Sequence, residues 1–500
     1  MTGPHHQSTS SRDTSADEAI NTHVEKQHRH QPGPDNPRHE DHLLLEPWQY
    51  ARISRRIDIR VVPIMFSCYF LQFLDKVVIN YANVMGLQTD LHMKGNDFSW
   101  LATAFFIAFA VSEIPQGYLL QRFSVPRVLG ANIFCWGITV CCMAAVQNFA
   151  GLLAVRILLG CFEACISPAL VLTTAMWYTK RESGPRYGLW YSGLGVGQIV
   201  GGLVSFAAQH GPQGRGFAGW RIMMVCVGAV NLLVSVWVLL CLPNDVENAK
   251  FLREDEKKAV QAKLAADQAG NGEKVFHRSG LWDAFTDMQI WLLFLLTLLI
   301  VEPSGIITTF SAVIIRNFGY TPRQAALLNM PSGLVSIVST LCSTFAILKG
   351  FPRWLSIVLL LIPTVIGAGL FSFLDEMNQP GRLAGIYLIN TIVAPLALVF
   401  TWVGANTAGY TKRVVANGMI AAAFGISNII GPQTFQASDA PDYIPAKITV
   451  FAVAGAAVVV SLLLRLLYGR RNAKKARLGE PARVAGGESD RVNPYFRYQY

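Results

Sequence analysis

Four ionisable residues sit where an apolar chain has little reason to keep them. The stretch Phe149 to Tyr178, FAGLLAVRILLGCFEACISPALVLTTAMWY, carries Arg156 and Glu163 well inside it. It is long and apolar enough to cross a bilayer as a helix, which takes about 20 residues. Seven residues at about 100° each bring a helix back to within about 20° of the same face, so the two charges share one side. An earlier apolar run, LQFLDKVVINYAN, holds Asp75 beside Lys76 near its middle. A charge at the bilayer centre costs about 2.5–3.5 kcal/mol on insertion scales. Such groups are therefore expected to face a bundle interior or a wet cavity. One reading is a structural, net-neutral ion-pair network; such a network costs desolvation and seldom improves on apolar packing. The other is a site that binds an anion and a proton together.

The second reading has a definite chemistry. Burial disfavours an ionised carboxylate and an adjacent cation favours it. A substrate carboxylate that takes over the cation leaves the acid without its counter-charge, and the acid takes up a proton. Substrate and proton are then thermodynamically coupled. A monoanion entering a negative interior alone works against about 2.3 kcal/mol per 100 mV. One proton removes that penalty and a second makes uptake voltage-driven; Asp75 and Glu163 permit either stoichiometry.

The elements that must position these groups follow from composition and order. Over 500 residues the chain is 52% hydrophobic and 15% charged, with the apolar residues bunched into runs, so it reads as an all-α integral membrane protein. Its net charge of +10 lies between and after the runs, which argues against a nucleic-acid partner and for membrane topology. The nine cysteines fall within apolar spans without metal-ligand spacing, so neither a metal nor a disulfide framework is expected. No cofactor is expected beyond the proton as coupling ion. No nucleophile–base pair or metal cluster suggests an enzyme. The polar, His-rich start does not read as a cleavable signal peptide.

Twelve spans are expected near 61–83, 97–120, 127–147, 149–178, 187–209, 220–242, 288–315, 323–347, 354–374, 382–409, 413–435 and 446–468. These give a disordered tail over 1–50, a six-helix bundle over 51–242, a linker over 243–285, a second six-helix bundle over 286–468 and a basic tail over 469–500. Arg52, Arg55, Arg56 and Arg60 precede the first span. Arg122, Arg127, Lys180, Arg181, Arg186, Lys412 and Arg413 outweigh the opposite loops, which include Arg215. The Lys/Arg bias therefore puts both termini in the cytoplasm. Gly188, Gln198 and Gly201 share their spacing with Gly418, Asn428 and Gly431, and PRVLG (126–130) echoes PRWLS (352–356). Two pseudo-symmetric halves with a midplane site between them are the expectation.

Other residues extend the candidate site. Gln198 and Asn428 could line a cavity from opposite halves, with Trp402 and Asn406 of the tenth span as further candidates that could equally be packing. Glu302, directly before Pro303, is another intramembrane acid, readable as a substrate contact or as a paired structural group. Glu113, with Arg122, reads as a gate at the cytoplasmic end of the second span. The glycines of SGLGVGQIVGGLVSF read as close helix packing.

LDKVVINYAN, RILLGCFEA with its following Pro-Ala, GYTKRVVANG and SNIIGPQTFQASDAPDYIPAKIT resemble the major facilitator superfamily. More narrowly they are similar to its anion:cation symporters and the fungal allantoate permease branch, over about residues 50 to 470. That resemblance implies proton-coupled uptake of a small organic anion, such as a carboxylate vitamin, a ureido acid like allantoate or an amino-acid derivative. It implies a proton site at Asp75, an anion contact at Lys76 and coupling through Arg156 and Glu163. Asn428 is the Asn of the family's NxxG pattern. Two departures stand out. Lys76 replaces the usual Arg, a point charge instead of a bidentate fork. The loop Gly117-Tyr-Leu-Leu-Gln121-Arg122-Phe-Ser124 lacks the superfamily's Asp and second Gly. Glu302 is not a feature of the family. The expected protein is a monomeric plasma-membrane symporter; an exporter on the same fold and a non-transporting nutrient sensor are the rivals.

Overall fold

The computed structural model describes residues 47–210, 218–269, 277–375, 377–439, 443–477, 490–491 and 496–500. The histidine-rich tail, Arg215 and the Ala440-Pro441 pair lie outside the described residues. Everything below concerns the compact unit Ile53–Tyr500. Twelve helices are long and apolar enough to cross a membrane. Six precede the connecting segment: Trp48–Val84, Asp97–Arg122, Val125–Met143, Phe149–Trp177, Arg181–Ala208 and Gly219–Cys241. Six follow it: Met288–Asn317, Pro322–Leu348, Arg353–Phe373, Gln379–Asn406, Tyr410–Gln433 and Ile444–Arg477. The segment between holds the polar helix Glu254–Ala269 and the short helix Arg278–Thr286. The near face is the one where the first span begins and the twelfth ends; the far face is its opposite.

The local sequence explains the breaks. The fourth span is two helices, Phe149–Glu163 and Ile166–Trp177. Pro168 has no N–H for the Ala164 carbonyl and its ring clashes there, so the helix turns just after Glu163. In the tenth span a 3-10 turn at Asn390–Ile392 precedes Pro395 for the same reason. Pro303, by contrast, is absorbed in an unbroken seventh helix. The echoing PRVLG and PRWLS segments both start helices, with Pro126 in the first turn of the third span and Pro352 as the N-cap of the ninth.

Glycines of the fifth span let backbones meet. A Cβ on Gly195 would lie 2.4 Å from the Gly333 carbonyl oxygen of the eighth span, and one on Gly333 would lie equally close to the Gly195 oxygen. This seam joins the two groups of six helices. Polar contacts between them gather on the far side. Asn80 donates to the Thr308 carbonyl and to Ser311 Oγ, Ser99 Oγ to the Phe435 carbonyl, and Asn329 Nδ2 to Tyr81 Oη.

The near-face end of the second group is built around a charge cluster. Lys412, 1% exposed, pairs with Asp283 at 3.0 Å, Asp287 at 2.6 Å and Asp490 at 2.8 Å. Arg471 pairs with Asp287 at 2.6 Å, and Arg491 with Asp283 at 3.1 Å. Burial alone would raise the Asp287 carboxyl, but the hydrogen bond and charge of Arg471 together with Lys412 hold it below its ordinary value of 3.8. The last span runs past the expected boundary at 468 to Arg477 because its basic continuation stays helical. Residues 496–500 then fold back on this end. Tyr498 stacks on Tyr468 at 5.3 Å between ring centroids, and its hydroxyl donates to Asp490 Oδ2 at 2.8 Å.

Candidate functional site

A cavity of about 100 Å³ lies between the two groups of six helices, lined on one side by Lys76, Phe105, Phe109 and Arg156 and on the other by Ser304, Thr308 and Asn428. The seam and the far-side hydrogen bonds bound it. Lys76 comes from the first span, and its ammonium forms an ion pair with Glu163 Oε1 from the break in the fourth. Glu163 is fully buried and its Oε2 has no partner. Behind Lys76, Asp75 accepts a 3.4 Å hydrogen bond from Trp136 Nε1 on the third span, while its Oδ1 has none. Lys76 also donates to the Gln72 carbonyl one turn earlier, at 3.5 Å.

Arg156 is the member of the quartet with no ion pair or side-chain hydrogen bond of its own among the described residues. It is 3% exposed, its guanidinium carbon lies 4.8 Å from the centroid of the Phe105 ring, and its Nε and Nη1 are buried without partners. The Lys76 ammonium lies over the same ring at 5.7 Å. A cation on an aromatic face gains about 0.5–2 kcal/mol. Asp75 and Glu163 act on it only through space, and the hydrogen bonds by which a buried charge repays several kcal/mol of desolvation are not made. The ring does not make up that difference, so the arrangement is incomplete and suited to an arriving anion.

The other sequence candidates divide. Asn428 lines the cavity and donates its Nδ2 to the Phe424 carbonyl at 2.9 Å, leaving its Oδ1 toward Gly305. Gln198 lies outside the cavity, in the seam, where its Nε2 donates to Asn329 Oδ1 at 3.3 Å. Glu302 is buried with both carboxyl oxygens unpartnered, but the cavity-lining positions of its helix are Ile300, Val301, Ser304, Gly305, Thr308 and Thr309. Trp402 and Asn406 are corrected outright. Both donate to the Gln499 carbonyl, at 3.0 and 2.9 Å, because the returning C-terminal segment covers the near-face end of the tenth span. Glu113 is half-buried and Arg122 exposed, and among the described residues the two form no ion pair. In this conformation they do not close a gate.

Sequence reasoning missed Tyr69, Gln72, Ser167 and Thr308, all on the cavity wall. Gln72 was recoverable, being one helical turn from Lys76. The Phe105 and Phe109 pair is spaced four apart, as a cavity-facing stripe requires, but such a stripe reads equally as core packing.

The family model described as Major Facilitator Superfamily matches residues 65–432. Among relatives, the chain is 36% identical over 429 residues to the "Thiamine pathway transporter THI73" of Saccharomyces cerevisiae, covering 85% of this chain and 81% of that one. It is 28% identical over 478 residues to the "Allantoate permease" of the same yeast, covering 91% and 88%. The solved structure of the proton:xylose symporter XylE superposes with a TM-score of 0.65 at 15% identity, over 82% of this chain and 95% of that one. At that identity the superposition speaks for the fold alone.

Proposed function

Because this chain belongs to the major facilitator superfamily, and is a membrane transporter and not an enzyme, we propose that it carries a small organic anion together with a proton by alternating access. The observation that carries this reading is the buried, unpartnered guanidinium of Arg156 on the wall of the central cavity. A carboxylate has the geometry to accept two parallel hydrogen bonds from a guanidinium fork. The roles expected for the two cations are thereby exchanged: Arg156 receives the anion, and Lys76 holds Glu163 until the anion arrives.

The steps follow from charge balance. A carboxylate entering beside Arg156 also draws on the Lys76 ammonium, which lies over the same ring. As Lys76 turns toward the substrate, Glu163 loses its counter-charge inside an apolar wall and takes a proton. The loaded cavity then holds an anion and a proton in place of the Lys76–Glu163 pair. Release of the anion restores that pair and expels the proton. Asp75, anchored by Trp136, balances the remaining positive charge. The Gly195–Gly333 seam and the far-side bonds supply the contacts around which access would alternate.

Uptake across the plasma membrane with both termini cytoplasmic is the direction we infer; the near face then opens inward and the state described is closed to the outside. A relative named for allantoate supports carboxylates of that size as substrates. The test is labelled uptake into vesicles under an imposed pH gradient, across a panel of ureido acids, carboxylate vitamins and amino-acid derivatives. Accumulation of one anion that rises with inward proton drive is the expected result. Uptake indifferent to the gradient would remove the coupling, and no uptake across the panel would favour a sensor.

A further inference from the structure

A second cleft, of about 360 Å³, opens among the far-face ends of the seventh, ninth, tenth, eleventh and twelfth spans. Arg382, in the first turn of the tenth span, is 7% exposed, yet among the described residues its side chain has neither an ion pair nor a hydrogen bond, and its Nε is wholly buried. Its guanidinium carbon stands 4.4 Å from the centroid of the Phe318 ring. Across the cleft the Lys447 ammonium lies 5.6 Å from the centroid of Phe371, and the two rings are 6.2 Å apart. The side-chain amides of Asn317 and Gln379 and the Tyr443 hydroxyl are the other polar lining groups, and among the described residues no carboxylate lines the cleft.

The magnitudes separate a packed cation from a binding group. Stacking on Phe318 offsets only a small part of what a buried charge without a counter-ion costs. A guanidinium kept buried at that cost, facing a cleft with a second cation and two side-chain amides, has no acceptor among the described residues and is placed to take one from a ligand. We infer that this far-face cleft is an anion-binding site, separate from the central cavity, in which Arg382 holds a carboxylate or phosphate oxyanion through its planar fork. The inference does not depend on how the central cavity is read. The oxyanion could belong to a soluble solute or to a lipid headgroup, and both present the same chemistry to the fork.

The experiment measures the apparent Tm of the purified full-length protein in uncharged detergent at constant ionic strength. Any species that binds only the folded state raises Tm with its concentration. Inorganic phosphate or acetate is expected to raise Tm by several degrees in the unaltered protein and in Arg156→Gln, and not in Arg382→Met. Without added oxyanion, Arg382→Met should melt above the unaltered protein, because it removes an uncompensated charge. Retention of the shift in Arg382→Met, or its loss in Arg156→Gln, would overturn the assignment. If Arg382→Met does not fold, phenylglyoxal modification of the unaltered protein decides. Phosphate should slow reaction at Arg382 at least fivefold, and equal rates with and without phosphate refute the site. A shift produced by phosphatidylglycerol in mixed micelles and not by inorganic phosphate assigns the oxyanion to a lipid; the opposite result assigns it to a solute.

Discussion

Two buried charge clusters occupy this molecule, and they are built on opposite principles. At the near-face end of the second six helices, Lys412, Arg471 and Arg491 meet Asp283, Asp287 and Asp490 with every link between 2.6 and 3.1 Å. Gln289 and Tyr498 supply further hydrogen bonds to Asp490. In the centre, Asp75, Lys76, Arg156 and Glu163 also sum to zero charge, yet Asp75 Oδ1, Glu163 Oε2 and two Arg156 nitrogens are left unpartnered. Neutrality is therefore not the criterion that separates a lock from a site. Satisfaction is: a cluster with every bond made holds elements together, and one with bonds outstanding waits for a ligand.

The contrast is broken most directly at Lys412. Lys412→Met leaves Asp490 without its cation and takes one of two cations from Asp283 and from Asp287, and should destabilise the protein by about 3–5 kcal/mol, seen as a large fall in Tm and early proteolysis of the C-terminal segment. A comparable change at the centre should act on function instead. Arg156→Gln is expected to weaken substrate binding by about 2–5 kcal/mol while leaving Tm unchanged or raised; a fall in Tm like that of Lys412→Met would place Arg156 among the structural ions. Next comes coupling. Glu163→Gln should abolish proton-driven accumulation, a loss of about tenfold in the gradient sustained per pH unit, while counterflow of labelled against unlabelled substrate persists.

Smaller effects sharpen the other side. Because Asp287 is held below its ordinary value of 3.8, its contribution is fully present above that pH and is lost as pH falls through the lower folded value. Protection from hydrogen exchange over 496–500, taken relative to the intrinsic rate at each pH, should thus hold down to pH 3.8 and fall in more acidic buffer. Tyr498→Phe removes the hydroxyl that donates to Asp490 and accepts from Arg471 while keeping the stack on Tyr468, and should cost about 1 kcal/mol in the same assay. A loss several times larger would mean that the segment is held chiefly by that hydroxyl.

Much of the architecture could be read from residue order, because an apolar run of bilayer length admits little besides a helix. The buried charges were legible for a related reason: in lipid an ion without purpose is expensive, so Asp75, Lys76, Arg156 and Glu163 announce themselves. What sequence could not supply was partner choice. Nothing in the spacing says whether Lys76 or Arg156 pairs with Glu163, since that depends on how three helices rotate against one another. Trp402 and Asn406 failed as cavity residues for a different reason. Their partner, Gln499, lies far along the chain in a stretch that reads only as a basic tail beyond the last span. Lys412 was read as a loop cation counting toward topology, and only packing shows it to be a fully enclosed one.

The contact of Gly195 with Gly333 has a mechanical consequence. Two helices that meet main chain to main chain, with Ile199 and Ile337 lapped over the facing glycines, have little to disengage, so one can roll on the other as on a bearing while neighbouring surfaces part. A single methyl group at either position would act as a wedge in that bearing, and its harm would show in turnover before it showed in affinity.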